Sequence, residues 1–212
     1  MGLLRLGEER LGEAMSELGV LLVLLSYLIG SIPFSFIFSR FLGGVDIRTK
    51  GTGNVGATNV LRSVGVKIAI AALAGDLAKG LLAAWWGSYF GGPGLGAVCS
   101  VAVVAGHCWP VFLRFRGGKG VATAAGVIFM LFPMVGLLEA VVFFTVVGLS
   151  RYVSLGSVTA ALAFPFLVLL THQPSQYVVM AIIIAAIIVY RHRSNIERIR
   201  KGTESKVNEK AL

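Results

Sequence analysis

Long apolar runs, separated by short segments rich in Gly, Pro and charged residues, dominate the chain. A helix rises about 1.5 Å per residue, so about 20 apolar residues cross a hydrocarbon core about 30 Å thick. We therefore predict an all-α integral membrane protein, a bundle of seven transmembrane helices. The predicted spans are 18–42, 64–89, 94–113, 120–132, 134–150, 155–171 and 176–191. The fourth run is short for a crossing, so either it begins earlier or it forms a tilted or hairpin pair with the fifth around Phe132 and Pro133.

The composition agrees with a membrane protein. Of the 212 residues, 56% are hydrophobic and 14% are charged, with a mean hydropathy of +0.84. So little polar surface cannot cover a soluble globule. We expect an N-terminal tail over 1–17, a single membrane domain over 18–204 and a basic cytoplasmic tail over 205–212, with Met15 as an alternative start to Met1.

Connections that contain Lys or Arg alternate along the chain with connections that contain neither. The basic ones are 43–63, 114–119, Arg151 and the stretch from Arg191, whereas 91–94, the Phe132–Pro133 turn and 171–176 carry neither residue. Cytoplasmic loops retain positive charge, so we expect the N-terminus outside and the C-terminus in the cytoplasm. The net charge of +9 then reflects topology and attraction to the anionic inner leaflet. Nucleic-acid binding is a poor explanation, because the bases are divided among short loops.

Cysteine and histidine are too few and too scattered for a metal centre. Cys99 and Cys108 lie nine positions apart in one apolar run, which is about 13 Å along a helix and too far for a disulfide. The three histidines and two cysteines show no zinc spacing. We expect no metal and no cofactor.

Four polar, Gly-rich segments lie on the predicted cytoplasmic side: KGTGNVGATNVLR (50–62), RFRGGKGVAT (114–123), RYVSLGSVTA (151–160) and YRHRSNIERIRKGTE (190–204). Irregular backbone at membrane depth survives only where protein or water satisfies it, so we expect the active face here. The first segment matches the G-x-G-x-x-G dinucleotide pattern, but it follows a membrane span rather than a β-strand. It therefore favours a smaller phosphate-bearing substrate.

The second and third segments have anion-binding character. Gly117, Gly118, Lys119 and Gly120 place backbone N–H groups and an ammonium beside a helix N-terminus, which favours phosphate. The alternative is a turn with a lysine that sets topology. Ser154 and Ser157 precede the sixth span, where either hydroxyl can cap the helix or donate to an anion.

Several further polar residues have two interpretations. His192 and Asn195 are three positions apart and share a helix face, which suits a polar clamp, although the arginines around them are also typical of the end of a span. We expect Glu204 to pair with a nearby base in a structural role. Asp76 and Lys79, three apart in the second span, must face the bundle interior as a packing pair or as support for a site.

Two residues in the spans, His107 and Glu139, are predicted to be buried interhelical groups rather than catalysts. No H-x4-D, G-x-S-x-G or Walker motif is present. An enzyme built from these residues would act on an already activated substrate, through positioning and charge stabilisation.

The order of motifs strongly resembles the bacterial acyl-phosphate:glycerol-3-phosphate acyltransferases, the PlsY family. The matching stretches are GSIP (30–33), GTGNVGATNVLR (51–62), DLAKG (76–80), GHCWPVF (106–112), RGGKGVAT (116–123), SLGSVTA (154–160) and RHRSNIERIRKGTE (191–204). The resemblance implies a seven-span inner-membrane enzyme that moves a fatty acyl group from acyl phosphate to the 1-hydroxyl of glycerol 3-phosphate. The products would be lysophosphatidic acid and phosphate, in the first acylation of phospholipid synthesis, with no carrier protein required.

The resemblance also implies roles for individual residues. Catalytic roles fall on Thr52, Arg62, Ser157, His192 and Asn195, and substrate-binding roles on Asn54, Gly117, Gly118, Lys119 and Gly120, with Glu204 in the last motif. The glycine loop, Thr52 and Ser157 would hold the departing phosphate. The residues that would clamp glycerol phosphate are Arg62, Lys119, His192 and Asn195. Either His192 or a substrate phosphate oxygen would take the proton, and we favour the substrate.

One position departs from the family pattern. The family usually has serine where this chain has Thr52. Threonine keeps the hydroxyl but adds a methyl group and a stiffer side chain, which argues for hydrogen bonding to phosphate and against a nucleophilic role.

The main alternative is a small transporter of anions or phosphate esters, which would also surround a phosphate with helix ends. A transporter predicts inverted repeats and ionisable residues reaching both faces, whereas the polar motifs here are confined to one side. A lipid-scaffolding protein would leave Thr52, Arg62 and the His192/Asn195 face unexplained.

Overall fold

A computed structural model of the protein describes the backbone of residues 2–207 and 209, with side chains from Met15 onward. The elements in this part of the chain are helical. They are α1 (Gly2–Gly30), α2 (Phe34–Phe41), α3 (Ala57–Ser63), α4 (Val66–Cys108), α5 (Val121–Leu131), α6 (Pro133–Ser150), α7 (Val153–Leu170), α8 (Ser175–Arg191) and α9 (Arg193–Arg200), with single 3₁₀ turns at Ile47–Thr49 and Val111–Leu113. Helix α1 starts within the predicted tail 1–17 and continues into the first predicted span.

Helix α4 is a hairpin of two arms. The backbone leaves the helical region at Gly91 and Gly92, and Gly92 has a φ of +61°, a left-handed conformation that glycine adopts readily. A straight helix of 43 residues would be about 65 Å long, about twice the hydrocarbon thickness. The two arms pack closely, since a Cβ on Gly87 would lie 2.9 Å from the Cβ of Cys99. The arms correspond to the predicted spans 64–89 and 94–113.

Four stretches among the described residues are long and apolar enough to cross a membrane: Met15–Phe41, Val66–Leu113, Pro133–Ser150 and Val153–Leu170. A fifth is added if α8 and α9, which meet at a bend of 54°, form one span. The predicted span 120–132 corresponds to α5, whose 11 residues are too few for a perpendicular crossing. The helices therefore form an apolar bundle, but their lengths alone do not establish seven membrane crossings.

Close helix contacts depend on small residues. A Cβ on Gly80 of α4 would overlap the carbonyl oxygen of Thr123 in α5, and a Cβ on Gly126 of α5 would overlap the carbonyl oxygen of Leu77 in α4. Small residues let transmembrane helices approach where lipid gives no hydrophobic driving force for association. The reciprocal pair brings α5 against α4 and places the loop before α5 next to the end of α4.

The buried ion pair in α4 ties three elements together. The Nζ of Lys79 lies 2.8 Å from an Asp76 carboxylate oxygen, and the two side chains are 1% and 2% exposed. The same ammonium donates to the carbonyl oxygens of Gly30 and Ile32 at 2.9 and 3.1 Å. Gly30 ends α1, and Ile32 lies in the break before α2. The pair thus faces the bundle interior, as its position in a span requires.

Candidate active site

A buried asparagine shapes the loop that carries Thr52 and Asn54. Asn59 in α3 is 4% exposed. Its Nδ2 donates to the carbonyl oxygens of Lys50 and Asn54, both at 3.0 Å, and to that of Ile47 at 3.3 Å. Its Oδ1 accepts the Thr52 N–H at 3.2 Å. One amide therefore contacts four backbone groups of the loop, with its two N–H hydrogens shared among three carbonyl oxygens. Sequence reasoning missed Asn59, because a single asparagine inside a helix has no pattern that reports bonds to the preceding loop.

The Gly117–Gly118 segment is held by packing and by carbonyl contacts. Its Gly118 N–H donates to the His107 carbonyl oxygen at 3.0 Å. Arg191 donates Nε to the Gly118 oxygen at 2.9 Å and Nη2 to the Gly117 oxygen at 2.7 Å. A Cβ on Gly118 would overlap the imidazole of His107. The two glycines thus allow close packing, and the N–H of Gly118 is already engaged.

The remainder of this loop faces a cavity. Lys119 and Gly120 line it, and Gly120 precedes α5 with a φ of +87°. Sequence reasoning did not assign Arg191 to the loop, because a basic residue at the end of a span is also what topology alone would place there.

A chain of short hydrogen bonds joins three of the motifs. The Nζ of Lys119 donates to Oδ1 of Asn195 at 2.6 Å, and Nδ2 of Asn195 donates to a Glu204 carboxylate oxygen, also at 2.6 Å. The Ser154 hydroxyl donates to the same oxygen at 2.6 Å, and Nε of Arg198 donates to the other at 2.8 Å. Glu204 therefore pairs with a nearby base, Arg198, and also links α7, α9 and, through Asn195, the glycine loop.

The surroundings of Lys119 and Glu204 in this network also shift the pKa values of both side chains. Burial lowers the pKa of Lys119 to about 8, opposed by attraction to Glu204 and reinforced by repulsion from Arg198 and other arginines. For Glu204, burial raises the pKa, but hydrogen bonds from Ser154, Asn195 and Arg198 outweigh it and the pKa is lowered. A bound anion would favour the charged form of Lys119.

His192 sits at the bend between α8 and α9 and is 3% exposed. Its Nδ1 lies 2.8 Å from the Ile188 carbonyl oxygen. Because a carbonyl only accepts, Nδ1 carries the hydrogen and Nε2 holds the lone pair of the neutral ring. Burial and the nearby Lys119 lower the pKa of His192 to about 4. The chain bends at His192, and the Asn195 N–H donates to the His192 carbonyl oxygen at 2.9 Å across the bend. Both residues line one cavity.

Arg62 contacts the C-terminal segment. Its Nη2 donates to the carbonyl oxygens of Ser205 and Lys206 at 3.1 and 3.0 Å. Its Nε is buried and has no hydrogen-bond partner among the described residues. The predicted tail thus takes part in the site at least through these two residues, whereas its positions 208 and 210–212 lie outside the described part of the chain.

The two serines of α7 do not cap it, contrary to one sequence interpretation. The helix begins at Val153 and its N-cap is Tyr152, which makes no side-chain capping bond. Ser154 is engaged by Glu204. The Ser157 hydroxyl donates to the Val153 carbonyl at 2.9 Å, one turn earlier, but it can still accept a hydrogen bond.

These segments surround one cavity of about 390 Å³. Its polar lining residues are Thr52, Asn54, Thr58, Asn59, Arg62, Asp76, His107, Lys119, Glu139, Ser154, Ser157, His192, Asn195, Glu204 and Ser205. Farther along the helices the lining becomes apolar, with Phe129, Phe143 and Phe164 among its members. Leu73 and Phe144 belong to this apolar wall and are 41% and 69% exposed, so the cavity reaches the lateral surface. Among the described residues, no three His, Cys, Asp or Glu side chains are grouped to hold a metal.

The apolar helical bundle, with a cavity that joins a cationic polar end to an apolar channel, suits a membrane protein that binds amphiphilic anions. A family model described as glycerol-3-phosphate acyltransferase matches residues 20–202. The glycerol-3-phosphate acyltransferase of Syntrophomonas wolfei is 50% identical over 190 residues, covering 90% of this chain and 97% of that protein. The chain belongs to the glycerol-3-phosphate acyltransferase family and is an integral membrane acyltransferase of phospholipid synthesis.

Solved structures of a relative agree with this assignment. PlsY (YgiH), an integral membrane glycerol 3-phosphate acyltransferase, has been solved in its glycerol 3-phosphate form. That structure has a TM-score of 0.86 and 40% identity, over 89% of this chain and 94% of the other. A second structure, the lysophosphatidic acid form, has a TM-score of 0.84 at the same identity and coverage. The resemblance to the PlsY family is confirmed.

Proposed function

We propose that this protein transfers a fatty acyl group from acyl phosphate to the 1-hydroxyl of sn-glycerol 3-phosphate, releasing phosphate and lysophosphatidic acid. The observation that supports this most is the continuity of a single cavity from Arg62 and Lys119 to the apolar residues around Phe164. An acyl phosphate has the same two parts, an anionic head and an apolar chain. PlsY in its glycerol 3-phosphate and lysophosphatidic acid forms supports the acceptor and the product.

The choice of donor rests on chemistry. Acyl phosphate is a mixed anhydride with a good leaving group. Its acyl group therefore needs no prior transfer to a nucleophilic residue of the protein. The glycerol oxygen attacks the acyl carbonyl carbon and forms the new ester C–O bond. The bond from that carbon to phosphate then breaks, with the electron pair leaving on phosphate and the hydroxyl proton transferred to a phosphate oxygen. Positioning and charge stabilisation are sufficient for such a step.

The departing phosphate would be held by Lys119, the backbone at Gly120 and the hydroxyls of Thr52 and Ser157. All four line the cavity, and the ammonium of Lys119 is fixed by Asn195. Gly117 and Gly118 would contribute by letting the loop pack against His107 rather than by touching phosphate.

Glycerol 3-phosphate would be clamped by Arg62 together with His192, Asn195 and Asn54, which line the same cavity. The Nε of Arg62 is buried and has no partner among the residues that the structure describes, which favours a substrate oxyanion as its partner, because buried donors in proteins are almost always paired. Arginine also suits phosphate, since its planar fork can make two parallel bonds. The structural members Asp76, Lys79 and Glu204 would keep these groups in place.

The proton would pass to a phosphate oxygen of a substrate. His192 has Nε2 available as an acceptor, but a pKa of about 4 makes it a weak base at neutral pH, far from the pKa that general-base catalysis favours. In this proposal His192 orients substrate rather than taking the proton.

The proposed topology has seven crossings of a bacterial inner membrane, with the N-terminus outside and the site on the cytoplasmic face. The two arms of α4 supply two crossings, and α5 to α8 supply four more beyond α1. The charge distribution of the loops supports this orientation. Access from the lateral surface would let acyl phosphate enter from the inner leaflet without a carrier protein.

The test uses purified protein in detergent with palmitoyl phosphate and glycerol 3-phosphate, and measures released phosphate and lysophosphatidic acid together. We expect equimolar formation of the two products, and none when palmitoyl-CoA replaces palmitoyl phosphate. Absence of turnover by correctly folded protein would contradict the proposed reaction. Turnover with palmitoyl-CoA alone would contradict the choice of donor.

A further inference from the structure

Glu139 of α6 places a carboxyl group in the apolar part of the cavity. The residue is 8% exposed and lines the cavity together with Phe143 and Phe164. Its Oε1 is buried and has no hydrogen-bond partner among the described residues. The other two acids of the lining, Asp76 and Glu204, each have a cationic partner at 2.8 Å. Glu139 is therefore the exception among the cavity carboxyl groups.

An unpartnered carboxyl group in this position is costly. Leaving a buried polar group without a hydrogen bond destabilises the fold, and more so in hydrocarbon. Packing alone could be achieved by leucine, and polar residues within membrane spans commonly have a function. None of the described residues supplies a partner for Oε1, so a molecule that fills the cavity beside Glu139 can supply one.

The position of Glu139 along the helix determines what can reach it. It lies eleven residues before Ser150, the last residue of α6, and so about 16 Å along the helix axis from the C-terminal end of that helix. An acyl chain that starts at the phosphate groups and follows the apolar wall must pass this carboxyl group if it is long enough.

We propose that Glu139 is a specificity-determining residue that discriminates among acyl chains by length. This inference rests on the proposed function, which places the acyl chain in this cavity. A chain that ends before Glu139 leaves space for a water molecule bound to the carboxyl group. A longer chain displaces that water and leaves the carboxyl group unpaired, which raises the barrier for long chains relative to short ones.

The experiment measures kcat/KM for acyl phosphates from hexanoyl to palmitoyl with wild-type protein, Glu139→Leu and Glu139→Gln. Leucine removes the need for a hydrogen bond, so the ratio of palmitoyl to hexanoyl kcat/KM should rise about tenfold, the scale of one unpaired buried group. Glutamine retains that need and should keep a ratio near that of the wild type. Val141→Leu, on the exposed face of the same helix, is the matched control.

An unchanged ratio in a folded Glu139→Leu protein would overturn the inference, and so would an equal loss for every chain length. Glu139→Met, which is unbranched and of similar length, provides the same comparison if the leucine variant does not fold. Failure of the wild-type protein to use any acyl phosphate would instead contradict the proposed reaction, so the two failures are distinguishable.

Discussion

Lys119 and Asn195, 76 positions apart in the sequence, are joined by a 2.6 Å hydrogen bond from Nζ to Oδ1. The bond connects the glycine loop before α5 to the helix that follows the last apolar span. Because Asn195 also donates to Glu204, the ammonium is oriented by a neutral group and approaches the carboxylate only indirectly. Lys119 thus keeps its charge available for a substrate anion.

Activity should depend on the charge of Lys119. With a pKa of about 8 in the free protein, the ammonium is present below that pH and is lost as the pH rises through it. We expect kcat/KM to fall above about pH 8, since this quantity reports groups of the free enzyme. Lys119→Arg should move the fall to higher pH, because guanidinium stays charged. A pH profile of the arginine variant identical to that of the wild type would assign the fall to another group.

Asn195→Ala should lower activity by breaking the link between Lys119 and Glu204. Hydrogen bonds to charged groups contribute about 1.5–3 kcal/mol each, so we expect kcat/KM to fall by about ten- to a hundredfold. Arg200→Ala is the control, since Arg200 is exposed on the same helix and should leave the rate unchanged. Equal effects of the two substitutions would argue for a general loss of α9 rather than for loss of this bond.

Arg62 should act mainly on glycerol 3-phosphate. Arg62→Ala removes a donor whose Nε is otherwise unpartnered among the described residues, and we expect kcat/KM for glycerol 3-phosphate to fall at least tenfold, as one charged hydrogen bond requires. Steady-state kinetics with varied glycerol 3-phosphate measure this. Lys67→Ala, at an exposed position in the first turn of α4, is the control and should leave the kinetics unchanged. Unaltered kinetics in the Arg62→Ala variant would show that Arg62 does not bind glycerol 3-phosphate.

His192 should make the fold sensitive to acid. Its folded-state pKa of about 4 lies below its ordinary 6.5, so the unfolded chain binds a proton first as the pH falls. The stability that depends on neutral His192 is complete above pH 6.5 and is lost between pH 6.5 and 4, by about 3 kcal/mol in the free energy of unfolding. Thermal unfolding of His192→Gln should show a smaller loss over that interval. Parallel curves for the two proteins would refute the assignment.

Gly118→Ala should disturb the loop, because the added Cβ would overlap the His107 ring. We expect a loss of about 1–3 kcal/mol in unfolding free energy, typical of overpacking, together with reduced turnover. Gly148→Ala is the matched control, since a Cβ there meets no atom within 4 Å. The double variant Gly118→Ala, His107→Ala should recover part of the loss if steric overlap is the cause, whereas purely additive losses would exclude it.

Sequence patterns predicted the apolar runs well because hydropathy is a local property. Helices α6, α7 and α8 begin and end within two residues of the predicted spans. The order of motifs also predicted the family correctly, because each motif is a short run of neighbouring residues. The shortness of α5, with 11 residues, was also visible in the sequence, because the fourth apolar run is short for a crossing.

The contacts that organise the site were less predictable. Asn59 supports the loop just before its own helix, and Arg191 supports a loop 73 positions away, both through bonds to backbone carbonyl groups that leave no residue pattern in the sequence. The same limit applies to Glu139. A single acid in a span is visible in the sequence, but its place on a cavity wall without a partner among the described residues is a property of the packed bundle.

The contact between Arg62 and the carbonyl oxygens at positions 205 and 206 has a consequence for variation at the end of the chain. Every residue type has a carbonyl oxygen, so substitutions at Ser205 and Lys206 can preserve this contact while erasing any recognisable motif. Chain length is different, because the Val207 N–H anchors the segment to the Arg151 carbonyl at 2.9 Å. Substitutions at Ser205 and Lys206 should therefore be tolerated, whereas deletion of residues from this segment should not.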